Sequence, residues 1–330
     1  MANSFKVLII QTAFLGDAIL ATSLLEKIRI EAPETQIHLL VRKGNESIFQ
    51  AYDYGNLAKV WSYDKKNKFR NWLELRKKLS VENFDKVFIV QRFFGMGLLS
   101  LCIGAKMVIG FNKNPLSMFF TKKIPHHFGN GDHEIKRNTS LLVDWLGEKV
   151  YKPYLNPPKM ELPVGLKTKE YICISPGSVW ETKRFPIHKW IEFIRLLPEN
   201  QSIVLMGAPK EKELSNQIEQ AFQGSLRPIF NETGKHPLLA STYIFQQSKK
   251  SYVNDSGPMH ICSAVNVPTV AIFCSTIPAF GFGPLADDST IIEASEILAC
   301  RPCGDHGKIH CPLGHFKCGN DIDVKRMYDV

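Results

Sequence analysis

The chain has no apolar run approaching the roughly 18 residues needed to cross a membrane, no low-complexity segment and no internal repeat. It also lacks the P-loop pattern and the dinucleotide fingerprint. That argues against an ordinary kinase, an NTPase and a nicotinamide dehydrogenase. No RNA-binding aromatic motif or zinc-finger spacing is present, so nucleic acid is not the expected partner. The apolar stretch at residues 5–11 is too short for a signal-peptide core and runs straight into a glycine turn. It reads as a first strand, and a cytosolic location is the expectation. Acidic residues are the scarcer charge: 32 Asp and Glu stand against 41 Lys and Arg, a formal net charge of +9.

With 330 residues, 44% of them apolar and 22% charged, the chain can bury one large core or two ordinary ones. The basic excess is local. Lys59, Lys65, Lys66, Lys68, Arg70, Arg76, Lys77 and Lys78 fall in one stretch, and Lys113, Lys122, Lys123, His126 and His127 in another. A solvated face is the plain reading. The functional reading is attraction to an anionic partner, a phosphorylated substrate or a membrane surface decorated with phosphosugars.

Hydrophobic periodicity gives alternating strands and helices. In the first half, strands are expected over 5–11, 37–41, 60–62, 86–90 and 106–110, with helices over 18–32 and near 71–79. A linker with four prolines follows at 151–163. In the second half, strands are expected over 171–174, 202–206, 250–254 and 269–273, with helices over 187–197, 210–221 and 259–265. This rhythm implies two doubly wound α/β domains, residues 1–160 and 161–330, facing a cleft. In open α/β sheets the ligand lies beyond the C-terminal ends of the strands.

Two segments in the second half suit a phosphorylated ligand. Ser175-Pro176-Gly177-Ser178 follows a strand and leads to Thr182, Lys183 and Arg184. It offers glycine, hydroxyls and cations for a departing diphosphate, with Lys183 the preferred phosphate partner. Asn254-Asp255-Ser256-Gly257-Pro258-Met259-His260 reads as a helix start, where backbone N–H groups favour anions. Ser256 and the N–H groups of Gly257, Met259 and His260 are the natural contacts, and Pro258 has no N–H to lose at a helix start. Asp255 could cap the helix or orient the turn indirectly, since a carboxylate beside phosphate repels it.

In the first half, Gly16 permits a tight turn and Asp17 stands at the next helix start. Asp17 is either a cap or a general base that takes a proton from an attacking hydroxyl. Arg92, His133 and Arg137 are candidate contacts to an anionic acceptor; the plain reading makes them helix-start groups or surface charges. Of eight cysteines, Cys102, Cys173, Cys262 and Cys274 sit in apolar segments and read as buried small residues. Cys300, Cys303, Cys311 and Cys318 cluster near the end. Free thiols are favoured there over a structural zinc because the spacing is irregular. A cytosolic setting disfavours disulfides. No catalytic metal is expected.

Taken in order, Phe14-Leu15-Gly16-Asp17, His133-Glu134 with Arg137, Ser175–Ser178 with Thr182–Pro186, Asn254–His260, and Cys311-Pro312-Leu313-Gly314-His315 with Cys318 resemble glycosyltransferase family 9, the ADP-heptose:lipopolysaccharide heptosyltransferases. The resemblance spans essentially the whole chain. It implies a GT-B architecture of two Rossmann-like domains and an inverting, metal-independent transfer with no required cofactor. It places the lipopolysaccharide inner core on the first domain and ADP-L-glycero-D-manno-heptose on the second. It makes Asp17 the base, Thr182 and Lys183 the donor-phosphate contacts, and Ser256–His260 the phosphate turn. It also suggests transient contact with the inner membrane surface. The chain departs from the family in one place. Gly234-Lys235 is followed by His236-Pro237-Leu238-Leu239-Ala240 without the glutamate common there, so adenosine or ribose recognition is expected to differ. A related transferase using another nucleotide sugar, a nucleotide-sugar epimerase and a noncatalytic carbohydrate-binding protein of the same fold are the rival readings.

Overall fold

In a computed structural model, residues 5–50 and 55–329 are described. The chain divides into two compact units, Met1–Phe128 with Asp132–Leu155, and Gly129–Gly131 with Asn156–Val330.

The first unit is built on strands β1 (Lys6–Gln11), β2 (Gln36–Arg42), β3 (Leu57–Tyr63), β4 (Lys86–Ile89), β5 (Met107–Phe111) and β6 (Lys122–Ile124). They pair in parallel in the order β3-β2-β1-β4-β5-β6. Val7, Leu8, Ile9 and Ile10 are fully buried. Parallel strands are covered on both faces, so they read as continuous apolar runs rather than alternations. One face packs Leu8, Ile10, Leu40, Val87 and Ile89 against Leu75 and Leu79 of the helix Lys68–Ser80 and Met96 and Leu99 of the helix Phe94–Cys102.

The second unit repeats the plan with β7 (Tyr171–Ser175), β8 (Ser202–Leu205), β9 (Ile229–Asn231), β10 (Lys250–Asn254), β11 (Thr269–Phe273) and β12 (Ser289–Glu293). The order is β12-β11-β10-β7-β8-β9, again all parallel. Its core joins Ile172, Ile174, Phe185, Trp190, Phe193, Tyr252 and Ile272, and is closed by Ile322, Val324 and Met327 near the C-terminus. In both sheets the first strand of the unit sits centrally, and the strand order reverses beside it. In such sheets the loops flanking that reversal form the ligand crevice. Here they follow β1 and β4 in the first unit, and β7 and β10 in the second.

The structure differs from the sequence expectation in places. The helix expected over 18–32 is two, Leu15–Leu20 and Thr22–Glu31. At the break Thr22 Oγ1 donates to Ile19 O at 2.6 Å and Ser23 Oγ to Leu20 O at 2.8 Å. Such hydroxyl-to-backbone bonds compete with the helical ladder. The short edge strands β6, β9 and β12 and the helices Phe94–Cys102 and Leu238–Gln247 were not expected. Cys102 is half-buried, whereas Cys318 is buried.

Two buried histidines in the first unit make its stability depend on pH. His38 Nδ1 accepts a hydrogen bond from Trp61 Nε1 at 3.1 Å, and burial lowers its pKa to about 4. Burial also lowers His126 to about 4, helped by the charges of Arg92, Arg137 and Lys113. Both pKa values lie below the unfolded histidine value, so the unfolded chain binds more protons between roughly pH 6.5 and 4. Stability is therefore expected to be full above about 6.5 and to fall as pH drops through that window, by up to about 3 kcal/mol per histidine. Urea unfolding at pH 7 and pH 5 checks this. The double variant His38→Asn/His126→Asn should lose less on acidification; an equally steep loss would remove these groups as the cause.

Candidate functional site

In the second unit, the loops after β7 and β10 are tied together by Asn254. Its Nδ2 donates to Pro176 O at 2.9 Å and Gly177 O at 3.2 Å, and its Oδ1 accepts from Phe185 N at 3.0 Å. One buried amide thus fixes the entry and exit of the Ser175–Phe185 loop. Gly177 faces the Glu211 carboxylate: a Cβ there would lie 2.3 Å from Glu211 Cδ. Glu211 in turn accepts from Ala208 N at 2.8 Å.

Lys183 Nζ pairs with Asp255 Oδ2 at 2.6 Å, the two side chains being 15% and 7% exposed. Thr276 Oγ1 donates to the same Asp255 oxygen at 2.6 Å. Asp255 therefore does not cap the following helix. The N-cap of Gly257–Ala264 is Ser256, in an extended conformation, and Ser256 Oγ donates back to Asn254 O at 3.3 Å. Met259 N bonds Ser256 O at 3.1 Å, and Pro258 has no N–H, so Gly257 carries the amide at the head of the helix. His260 is buried and sits edge-on to Phe282, with ring centroids 6.4 Å apart. Ser178 is buried as well, and its carbonyl accepts from Arg184 Nε at 2.9 Å.

Thr182 is placed differently from a free phosphate contact. Its Oγ1 accepts from Lys308 N at 2.8 Å and Ser275 Oγ at 3.0 Å, and donates to Lys308 O at 3.1 Å. Gly307, with φ +80°, lies against it: a Cβ there would be 3.1 Å from both Thr182 Oγ1 and Ser275 Oγ and 3.2 Å from Lys183 Cγ. The C-terminal loop thus braces Lys183, a tie across 126 residues that no local pattern announces.

In the first unit, Asp17 is the third residue of Leu15–Leu20, and the N-cap position is Phe14. The Asp17 carboxylate accepts from Phe14 N at 3.2 Å. Arg42 lies over the Phe14 ring, 5.6 Å from its centroid. Lys65 is near enough that Asp17, Arg42 and Lys68 all act on its pKa, which is lowered chiefly by burial. Gln91, after β4, places its amide 2.8 Å from Thr12 Oγ1 and 3.0 Å from Gln11 Oε1, joining the two strand ends at the order reversal. Arg92 is exposed. His133 is the N-cap of Glu134–Thr139, its Nδ1 accepting from Ile135 N at 3.3 Å. Arg137 is buried and paired with Glu134 at 2.8 Å, packs over the Phe128 ring and donates to the Asp132 carbonyl. Sequence reasoning gave no role to Glu211 or Arg42; it named Asn254 only as the first residue of its motif and Lys65 only as one member of a basic stretch.

The four terminal cysteines line a cavity of about 270 Å³ with Arg301, Lys308 and His315. All eight thiols are free. Among the described residues, no group of three or more His, Cys, Asp or Glu is placed to hold a metal ion. Burial works to raise the Cys311 thiol pKa, but the backbone N–H groups of Phe316, Leu313, Gly314 and His315 outweigh it and lower the value. Burial pushes Cys318 up to about 11. Iodoacetamide is therefore expected to label Cys311 first and the buried Cys173, Cys262 and Cys274 last, and a chelator to leave the melting temperature unchanged. A drop of several degrees with chelator would overturn the thiol assignment.

Two doubly wound parallel sheets, with the candidate phosphate turns at the order reversal of the second, define the GT-B class of glycosyltransferases. Over 98% of this chain and 97% of its own length, a lipooligosaccharide heptosyltransferase 2 of Campylobacter jejuni is 25% identical. The solved ADP-heptose lipopolysaccharide heptosyltransferase II of Escherichia coli shares the fold with a TM-score of 0.79 at 19% identity, over 98% of this chain and 97% of that one. An Escherichia coli heptosyltransferase solved with ADP-2-deoxy-2-fluoro heptose shares it at a TM-score of 0.70 and 19% identity, over 98% and 99% of the two chains. Residues 72–312 match the profile of glycosyltransferase family 9 (heptosyltransferase). The chain belongs to that family and is a glycosyltransferase of the heptosyltransferase type. No helix among the described residues is long and apolar enough to cross a membrane.

Proposed function

We propose that the protein transfers L-glycero-D-manno-heptose from ADP-heptose to the inner core of lipopolysaccharide, with inversion at the anomeric carbon. The observation that carries this reading is the meeting of the two signature turns after β7 and β10 through the Lys183–Asp255 pair at 2.6 Å. In this reading the donor diphosphate takes over Lys183 from Asp255, with the Gly257 amide as a second contact. Ser178, Thr182, Pro258, Met259 and His260 shape the turn that receives it. The acceptor hydroxyl oxygen forms the new bond to the anomeric carbon as the bond to the diphosphate oxygen breaks. ADP leaves with that electron pair, its charge met by Lys183, and Asp17 takes the hydroxyl proton. Arg92 and Lys113, two of the charges acting on His126, supply positive charge for an acidic acceptor. Arg137 and His133 act by holding the local fold. The reaction is proposed to need no divalent metal and to occur at the cytoplasmic face of the inner membrane.

The donor base is where a second reading enters. Glu232 stands just before the departing stretch, with its carboxylate 2.6 Å from His236 Nε2 and 3.1 Å from Lys235 Nζ. A carboxylate already engaged by two partners would recognise a nucleoside differently from a free one. Calorimetric titration with ADP, UDP and GDP tests the donor. ADP is expected to bind at least about 10-fold tighter than the other two. Preference for UDP or GDP would replace the ADP-heptose reading with another nucleotide sugar.

A further inference from the structure

The first unit carries a group of exposed apolar side chains that its core does not use. Phe69 is 77% exposed, Met118 75%, Phe119 62%, Phe93 61% and Phe94 54%. They come from three segments, each following the C-terminal end of a strand: Phe69 after β3, Phe93 and Phe94 after β4, Met118 and Phe119 after β5. Hydrogen bonds draw these segments together. Trp72, one turn along its helix from Phe69, donates from Nε1 to Gly95 O at 3.0 Å. Buried Asn114 donates from Nδ2 to Phe93 O at 3.1 Å and accepts from Leu116 N at 3.0 Å. Gly97 allows that approach, since a Cβ there would lie 2.5 Å from Asn114 Oδ1. The segments bearing these side chains are therefore tied together at the C-terminal end of the sheet.

Positive charge surrounds them. Lys66, Lys68 and Lys113 are exposed near these residues in sequence, and Lys65 Nζ lies 5.9 Å from the Phe93 ring centroid. The nearby acids are already paired, Glu74 with Arg70 at 3.1 Å and Asp64 with Lys43 at 2.9 Å. Contiguous exposed apolar side chains mark an interaction surface. Exposed phenylalanine interleaved with lysine and arginine suits an anionic bilayer, where rings enter the headgroup region and cations meet lipid phosphates.

We infer that this end of the first unit docks on an anionic phospholipid surface, with Phe69, Met118 and Phe119 entering the interface. The inference deepens the proposed function, which needs a lipid-linked acceptor, but vesicle binding reads the surface without any transfer. The test is cosedimentation of the full chain with phosphatidylcholine vesicles, with and without phosphatidylglycerol. Wild type is expected to bind the anionic vesicles at least about 10-fold better than the neutral ones. The variant Phe69→Ser/Met118→Ser/Phe119→Ser should lose at least about 10-fold of that binding, with an unchanged melting temperature. It should also transfer sugar to a delipidated core oligosaccharide at the wild-type rate. Absence of wild-type binding, or undiminished binding by the triple variant, overturns the docking surface. So does a lipid-free dimer that the triple variant abolishes, which would assign the surface to a second copy. Vesicle binding without any transfer would keep the surface and remove the proposed function. Transfer without vesicle binding would do the reverse.

Discussion

Replacing Asp17 by asparagine is expected to lower turnover at saturating acceptor by roughly 10²-fold or more, the usual worth of a positioned general base. The substitution is close to isosteric. An asparagine Oδ1 can still accept from Phe14 N, the 3.2 Å bond that closes the first turn of Leu15–Leu20, so the helix start should persist. What is lost is basicity. The melting temperature should move little, and ADP affinity should stay as in wild type, because the proposed donor contacts belong to the other unit. Near-normal turnover would take Asp17 out of the chemistry. A large fall in melting temperature would assign it to the helix start instead.

Lys183→Ala is expected to act on both donor affinity and stability. Removing the ammonium leaves the Asp255 carboxylate, 7% exposed, with the hydrogen bond from Thr276 Oγ1 but no cation paired to it among the described residues. An unpaired buried charge is costly, of the order of 3 kcal/mol, and the same carboxylate would repel an incoming diphosphate. ADP affinity should fall by roughly 10- to 100-fold, as expected for a lost charge-assisted contact, and turnover should fall with it. The double variant Lys183→Ala/Asp255→Asn separates the two effects. Asparagine keeps an acceptor for Thr276 and removes the stranded charge, so stability should return while turnover stays low. Recovery of turnover along with stability would mean that Lys183 serves the fold rather than the leaving group.

The two-sheet plan was legible because buried parallel strands such as Val7–Ile10 and Thr269–Phe273 are unbroken apolar runs. The positions of the turns at strand ends followed from the same runs. The edge strands Lys122–Ile124 and Ile229–Asn231 escaped notice because three residues carry no periodicity. Among the candidate site residues, what stayed hidden was partnership. Nothing near Thr182 announces Lys308, and nothing near Lys183 announces Asp255. Arg137 reads as a surface cation until Glu134 and Phe128 are seen to enclose it. The break at Ala21 depended on where two hydroxyls turned. Such contacts are decided by packing between distant segments, and a local reading of residue types does not contain it.

The central claim is tested most directly by incubating the purified chain with ADP-heptose and a heptose-deficient inner-core acceptor in the presence of a chelator. Product mass and anomeric configuration would then be read by mass spectrometry and NMR. The expected result is an acceptor heavier by one heptose, joined with the opposite anomeric configuration to the donor, and one ADP released per linkage. Release of ADP without a heptosylated product, or retention of the donor configuration, would contradict the account.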